Sequence, residues 1–304
     1  MRYRQLGRSG CRVSVVGLGC NNFGGRIGPE ASRAVVDAAL DAGITLFDTA
    51  DFYGEQGGSE TILGEALQGR RDRVVLATKF GLDMGDGLAV SRGSRRYIRV
   101  AVEASLRRLR TDWIDLYQLH MPDPTTPMAE TLGALDELVH EGKVRYIGSS
   151  NLKAWQVADA EWTARTAGTE RFVSAQNKYS LLERAAEAEL LPACEAYGIG
   201  LLPFYPLATG LLTGKYRRDQ AMPEGTRLAG TTIPDATFDR LEALEHFAAE
   251  RGHTLLELAV AALAARPAVA SVIAGATRPE QVAANVAAGD WELSAEEQAQ
   301  LWAL

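Results

Sequence analysis

The sequence predicts an α/β protein, a (β/α)8 TIM barrel in a single domain with an N-terminal hairpin and long βα loops. Three observations carry this. Short runs rich in Val, Ile and Leu alternate with amphipathic helical patterns along the chain. About eight such units follow one another, the rhythm of a closed parallel barrel. The polar residues able to do chemistry stand where those apolar runs end.

The strands expected in order are residues 13–18, 44–47, 74–78, 114–119, 144–147, 172–176, 200–204 and 270–273. Their unbroken apolar character, without polar alternation, fits strands buried on both faces. Helices are expected over 29–41, 94–109, 128–140 and 187–197, with Gly43, Gly142 and Gly198 as C-terminal stops. A small hairpin over residues 3–6, turning at Arg8-Ser-Gly10, is placed to plug the barrel floor. Residues 208–237, rich in Gly, Thr and Pro, form the least regular segment and are expected to act as a functional loop.

At 304 residues, two domains of about 150 residues and one barrel of about 250 to 300 are both compatible with length. A doubly wound sheet split in two should leave a Pro/Gly-rich linker or a change of composition near the middle. Residues 140–170 have neither. Apolar residues make up 46% and charged ones 23%, and 32 basic against 39 acidic side chains leave a net charge of −7. That balance gives no general attraction to nucleic acid or anionic membranes. Cys11, Cys20 and Cys194 lie far apart without a CxxC pair, which suits a reducing compartment. No apolar segment follows the charged first residues. The apolar stretch 255–265 is interrupted by Glu257 and ended by Arg266-Pro267, well short of the ~18 residues of a membrane span. A soluble cytoplasmic protein is expected, with no membrane or nucleic-acid partner; self-association is left open.

In a barrel of this class, catalytic groups come from the ends of strands. After the second expected strand stands Asp48-Thr-Ala-Asp51-Phe-Tyr53-Gly54, after the third Lys79-Phe80-Gly81, after the fourth His120-Met121-Pro122. Only five lysines occur in the chain, and Lys79 closes an apolar run, where an ammonium needs partners. Asp48 is the natural counter-ion, and the pair alone could be purely structural. Tyr53 and His120 beside it make a proton-transfer site. The ammonium is expected to draw the phenol below its ordinary pKa of about 10, and the imidazole to orient and polarise a carbonyl.

Other chemistries lack their residues. There is no HExxH, GxSxG or GxxxxGK[ST]. The histidines 120, 140, 246 and 253 are not spaced as metal ligands, so no metal is expected. Gly17-Leu-Gly19 follows a strand, but Asn22 stands where a Rossmann fingerprint has its third glycine.

Along essentially its whole length the sequence resembles the aldo-keto reductases, most of all the bacterial and potassium-channel β-subunit-like branches. The matching stretches are Phe47-Asp-Thr-Ala-Asp-Phe-Tyr-Gly54, Thr78-Lys-Phe-Gly81, Ile114-Asp-Leu-Tyr-Gln-Leu-His120, Gly142-Lys-Val-Arg-Tyr-Ile-Gly-Ser-Ser-Asn151, Ala175-Gln-Asn-Lys-Tyr-Ser180 and Gly210-Leu-Leu-Thr-Gly-Lys215. The resemblance implies a (β/α)8 barrel that binds NADP(H) without a Rossmann fold, with Tyr53 as general acid tuned by Lys79, Asp48 and His120. It assigns Ser150, Asn151 and Gln176 to the nicotinamide carboxamide, although Ser150-Asn151 would also serve as an ordinary N-cap pair. Phe204 aligns with the residue that stacks on the nicotinamide, in a Phe204-Tyr205-Pro206-Leu207 stretch where Tyr205 replaces the usual serine. The pyrophosphate is expected along Leu207, Thr209, Leu211 and Lys215. The adenosine 2′-phosphate is expected at Gly275, Thr277, Arg278, Gln281 and Asn285. Cys20 and Asn21, at the end of the first strand, complete the cofactor set; by itself Cys20, with no base nearby, reads as packing. Two positions depart from the pattern: Gly275 where many members have lysine, and Ala284 where they have glutamate. Arg278 is expected to supply the missing charge, which favours NADPH over NADH.

The implied reaction is reduction of an aldehyde or ketone to an alcohol. The alternatives are the reverse use as an alcohol or sugar dehydrogenase and a regulatory NADP-binding subunit of low turnover, against which His120 argues. Specificity is expected to come from residues 22–27, 82–93 and 121–126 and the C-terminal tail, with the Gly-rich stretch 83–87 mobile.

Overall fold

A computed structural model describes residues 1–85, 91–220 and 226–304. The expected mobility of 83–87 and the specificity loop 82–93 fall partly outside the described residues. Strands β1 (Tyr3–Gln5) and β2 (Arg12–Ser14) form an antiparallel hairpin. Then follow β3 (Val16–Gly19), β4 (Leu46–Asp48), β5 (Val75–Phe80), β6 (Ile114–Leu119), β7 (Val144–Ser150), β8 (Ser174–Gln176), β9 (Gly200–Leu201) and β10 (Val272–Gly275). Among the described residues these eight pair in parallel in chain order, and β10 returns beside β3. The ring closes between β9 and the chain entering β10. Leu201 N donates to Ala268 O at 2.7 Å, Ala270 N donates to Leu201 O at 3.0 Å, and Ile273 N donates to Pro203 O at 3.2 Å.

Helices α1 (Pro29–Asp41), α2 (Tyr53–Ala66), α3 (Arg95–Leu109), α4 (Met128–His140), α5 (Ala154–Ala167) and α6 (Leu190–Tyr197) cover the outside. They are followed by α7 (Asp235–Ala249), α8 (Leu255–Ala264), α9 (Pro279–Ala288) and α10 (Ala295–Ala303). No helix among the described residues is long and apolar enough to cross a membrane. The main core lies between strands and helices, built on Val16, Leu18, Phe47, Leu76, Ile114 and Ile147 with Val35, Leu63, Ile98 and Leu135 from the helices. A separate cluster of Leu6, Val13, Leu46, Ala77, Leu116 and Leu202 fills the barrel interior. Leu6 and Val13 come from the hairpin, which does plug the floor.

The differences from expectation have local causes. The apolar run 13–18 divides at Val15 into a hairpin strand and a barrel strand; it reads as continuous because the hairpin too is buried against the barrel. Helix α6 starts at Leu190, three residues later than expected, which keeps Pro192 in the first turn, where its missing N–H is harmless. Of the run 200–204 only Gly200–Leu201 is a regular strand; Pro203 cannot donate, and beyond it Phe204 makes an isolated bridge to Lys178. Ser150 ends β7 and the N-cap of α5 is Lys153, so Ser150-Asn151 is not an N-cap pair.

Candidate active site

The C-terminal ends of the strands surround a cleft of about 840 Å³, within the range of small-molecule sites. Its chemistry is built from three neighbouring strand ends. Asp48 closes β4, Lys79 lies near the end of β5, and His120 follows β6 directly. Tyr53 opens α2 at a left-handed turn through Gly54, Glu55 and Gln56. The turn needs glycine at 54, where a Cβ would stand 2.4 Å from Phe23 O. This seats Gly54 against the β3–α1 loop.

Lys79 is fully buried beneath the cleft and does not line it. Its Nζ donates to Asp48 Oδ2 at 2.7 Å and Thr49 O at 2.8 Å, and stands 3.5 Å from Tyr53 Oη. Burial alone would lower the lysine pKa, but Asp48 and Tyr53 outweigh it and hold it above its ordinary value. The pairing expected from sequence is present; the expected effect on Tyr53 is reversed. Burial of the ring outweighs the ammonium and holds the phenol above its ordinary pKa, not below it. At neutral pH the group is therefore a protonated phenol beside an ammonium. His120 packs edge-on against Tyr53, ring centroids 5.8 Å apart. Burial first and Lys79 second push its pKa down to about 3, which keeps the imidazole neutral.

Around this group the structure assembles nearly all the residues expected at a cofactor. Ser150 Oγ donates to Gln176 O at 2.8 Å, Asn151 Nδ2 donates to His120 O at 3.0 Å, and Gln176 Nε2 donates to Asp48 Oδ1 at 2.8 Å. Asn151 holds a φ of 60°, a left-handed conformation asparagine tolerates. Phe204, Tyr205, Pro206 and Leu207 form one wall, with Tyr205 edge-on to Phe204. Thr209 and Lys215 continue it, while Leu211 packs against the α7–α8 core and does not border the cleft. Cys20 and Asn21 line the side under β3, and Cys20 is fully buried. Beside them, from the end of β10 into α9, stand Gly275, Thr277, Arg278, Gln281 and Asn285. Gln281 Oε1 is already engaged, accepting from Thr277 N at 2.7 Å. Arg278 is exposed and has Glu280 at 3.7 Å.

The donor set fits a phosphate-bearing dinucleotide. One end has buried amides and hydroxyls, and the other has Lys215, Arg278 and the N-terminus of α9, where backbone N–H groups favour anions. Sequence reasoning missed Arg227, which borders the cleft and donates through Nη2 to Asn22 Oδ1 at 2.7 Å. It ties the β9–α7 segment to the β3–α1 loop, and among the described residues it has no carboxylate partner. An isolated exposed arginine in an irregular segment gives no sequence signal. Gln118, also missed, donates to Asp48 Oδ1 at 3.2 Å.

Comparisons with known proteins agree with this architecture. The sequence profile of the Aldo/keto reductase family matches residues 15–304. An uncharacterized oxidoreductase, YrpG, of Bacillus subtilis is 40% identical, over 97% of this chain and 93% of that protein. A probable voltage-gated potassium channel subunit beta of Oryza sativa is 36% identical, over 95% and 92%. An L-glyceraldehyde 3-phosphate reductase of Escherichia coli O157:H7 is 35% identical, over 99% and 91%. With a family match over nearly the whole chain and relatives this similar at full length, the chain belongs to the aldo/keto reductase family, a family of oxidoreductases that act on carbonyl compounds.

Proposed function

We propose that residues 1–304 form one cytoplasmic domain that reduces an aldehyde or ketone to an alcohol with NADPH. The observation that carries this reading is the buried Lys79 ammonium, 2.7 Å from Asp48 and 3.5 Å from a phenol that opens on the cleft. When bound, the reduced nicotinamide supplies hydride to the carbonyl carbon. Tyr53 gives its proton to the carbonyl oxygen, and Lys79 stabilises the phenolate left behind. Neutral His120 orients the carbonyl and donates to its oxygen. Ser150, Asn151 and Gln176 would hold the carboxamide, Phe204 would flank the nicotinamide, and Lys215 and Arg278 would meet the phosphates. The alcohol-oxidising direction uses the same groups in reverse.

The test is NADPH and NADH oxidation against a panel of aldehydes and ketones. Turnover is expected with NADPH preferred, and Arg278→Ala should narrow the gap between the two nucleotides. No carbonyl-dependent oxidation of either nucleotide across the panel would count for the regulatory-subunit reading.

A second expectation concerns pH. Because burial and Lys79 hold the His120 pKa down to about 3, kcat/KM should be flat from about pH 8 to about pH 5. It should have no limb near the ordinary histidine value of about 6.5. A limb at that midpoint that disappears in His120→Asn would contradict a neutral imidazole.

A further inference from the structure

Asp48 offers two carboxylate oxygens, and three side chains meet them. Oδ2 faces Lys79, while Oδ1 accepts from Gln176 Nε2 at 2.8 Å and Gln118 Nε2 at 3.2 Å. The two glutamines stand differently. Gln176 borders the cleft, within reach of whatever binds there; Gln118, on β6, is fully buried and does not. In the strand register Lys79, Gln118, Gly148 and Ser174 form one row across β5 to β8. A Cβ on Gly148 would lie 3.2 Å from Gln118 Cγ and 2.2 Å from Ser174 Oγ. Glycine at that point leaves the Gln118 side chain its path beneath Asp48.

Gln118 is a poor choice as mere filler. Its Oε1 has no hydrogen-bond partner among the described residues, and an unpaired buried acceptor is destabilising. Leucine or methionine would occupy similar volume without that defect. What the amide provides and they cannot is an N–H on the Asp48 carboxylate.

We propose that Gln118 is a positioning residue for proton transfer, holding the Asp48 carboxylate from below so that Lys79 stays within reach of Tyr53. This rests on the reading of Tyr53 as the acid. A carboxylate held by Lys79 at one oxygen can turn about its Cβ–Cγ bond, and the ammonium follows it, lengthening a contact that is already 3.5 Å. Gln176 alone is the weaker guard, because a ligand carboxamide competes for it. Gln118 has no such competitor.

The test compares wild type, Gln118→Met, Gln118→Leu and Tyr53→Phe with NADPH and 4-nitrobenzaldehyde. In both Gln118 variants kcat should fall about tenfold, equivalent to about 1.4 kcal/mol, while KM and the Kd for NADPH stay within about twofold. The alkaline limb of the pH–rate profile should move to higher pH, because a phenolate less supported by Lys79 forms less readily. An ultraviolet difference titration of the phenol, with Tyr53→Phe as blank, reads the same shift without turnover. Folded Gln118 variants with unchanged kcat, limb and phenol titration would overturn the proposal. So would a loss of kcat that tracks a fall in Tm while the limb and titration stay put, since that is a packing role. If Tyr53→Phe itself turns over normally, the reading of the site fails; if it is inactive and Gln118→Met is normal, only the role of Gln118 fails.

Discussion

Tyr53→Phe is expected to lower kcat for carbonyl reduction by roughly 10²–10⁴-fold, the range for loss of a positioned acid, and to leave the protein folded and able to bind NADPH. The size follows from what remains. Lys79 keeps its 2.7 Å bond to Asp48 and its 2.8 Å bond to Thr49 O, so the buried charge stays partnered. The lost hydroxyl contributed only the 3.5 Å contact, and the phenyl ring still packs against His120. Tm should therefore change little, and calorimetric titration with NADPH should give a Kd close to wild type. Calorimetry suits this better than intrinsic fluorescence, because no tryptophan is among the described residues lining the cleft. The phenol is held above its ordinary pKa, first by burial and despite Lys79, so wild type keeps the acid form through the neutral range. Turnover by Tyr53→Phe at the wild-type rate would show that another group donates the proton.

The residues of this site were legible in the sequence to the extent that each broke a pattern. Asp48 and Lys79 each end an apolar run, and a charge there needs a partner. Tyr53 and His120 follow within a few residues of the same rim. The barrel was readable because strands buried on both faces leave unbroken apolar runs. Boundaries were less so: nothing in residues 13–18 marks Val15 as a junction, since hairpin and barrel strands are both buried there. The direction of the Tyr53 shift was misjudged because spacing reveals that an ammonium is near but not how deeply the ring is buried. Arg227 was invisible because its partner Asn22 is about two hundred residues away in sequence, on another loop. Gln118 did leave a mark, an amide inside the apolar run of β6, that could have been read as the Asp48 anomaly was.

Lys79→Met should damage both activity and fold. The ammonium sits 3.5 Å from the oxygen that becomes negative as Tyr53 gives up its proton. At an effective dielectric near 20 that attraction is roughly 4 kcal/mol, so kcat should drop about a thousandfold even with the phenol in place. Methionine fills much of the lysine volume, so the larger structural effect is electrostatic. Asp48, buried and left with only the two glutamine amides, becomes a charge without a counter-ion, a loss of about 3–5 kcal/mol in comparable pairs. Burial lowers the Lys79 pKa, yet Asp48 and Tyr53 raise it further, so the folded value is above the unfolded one. A group shifted that way contributes its stability in full below the unfolded pKa, about 10.4, and loses it as pH climbs through the folded value. The deficit of Lys79→Met in denaturant unfolding should thus be constant from pH 6 to about pH 9 and narrow only in the strongly alkaline range. A deficit that disappeared already between about pH 6 and about pH 9 would mean that Lys79 is neutral in the folded protein, and that the ammonium beside the phenol is not what drives the chemistry.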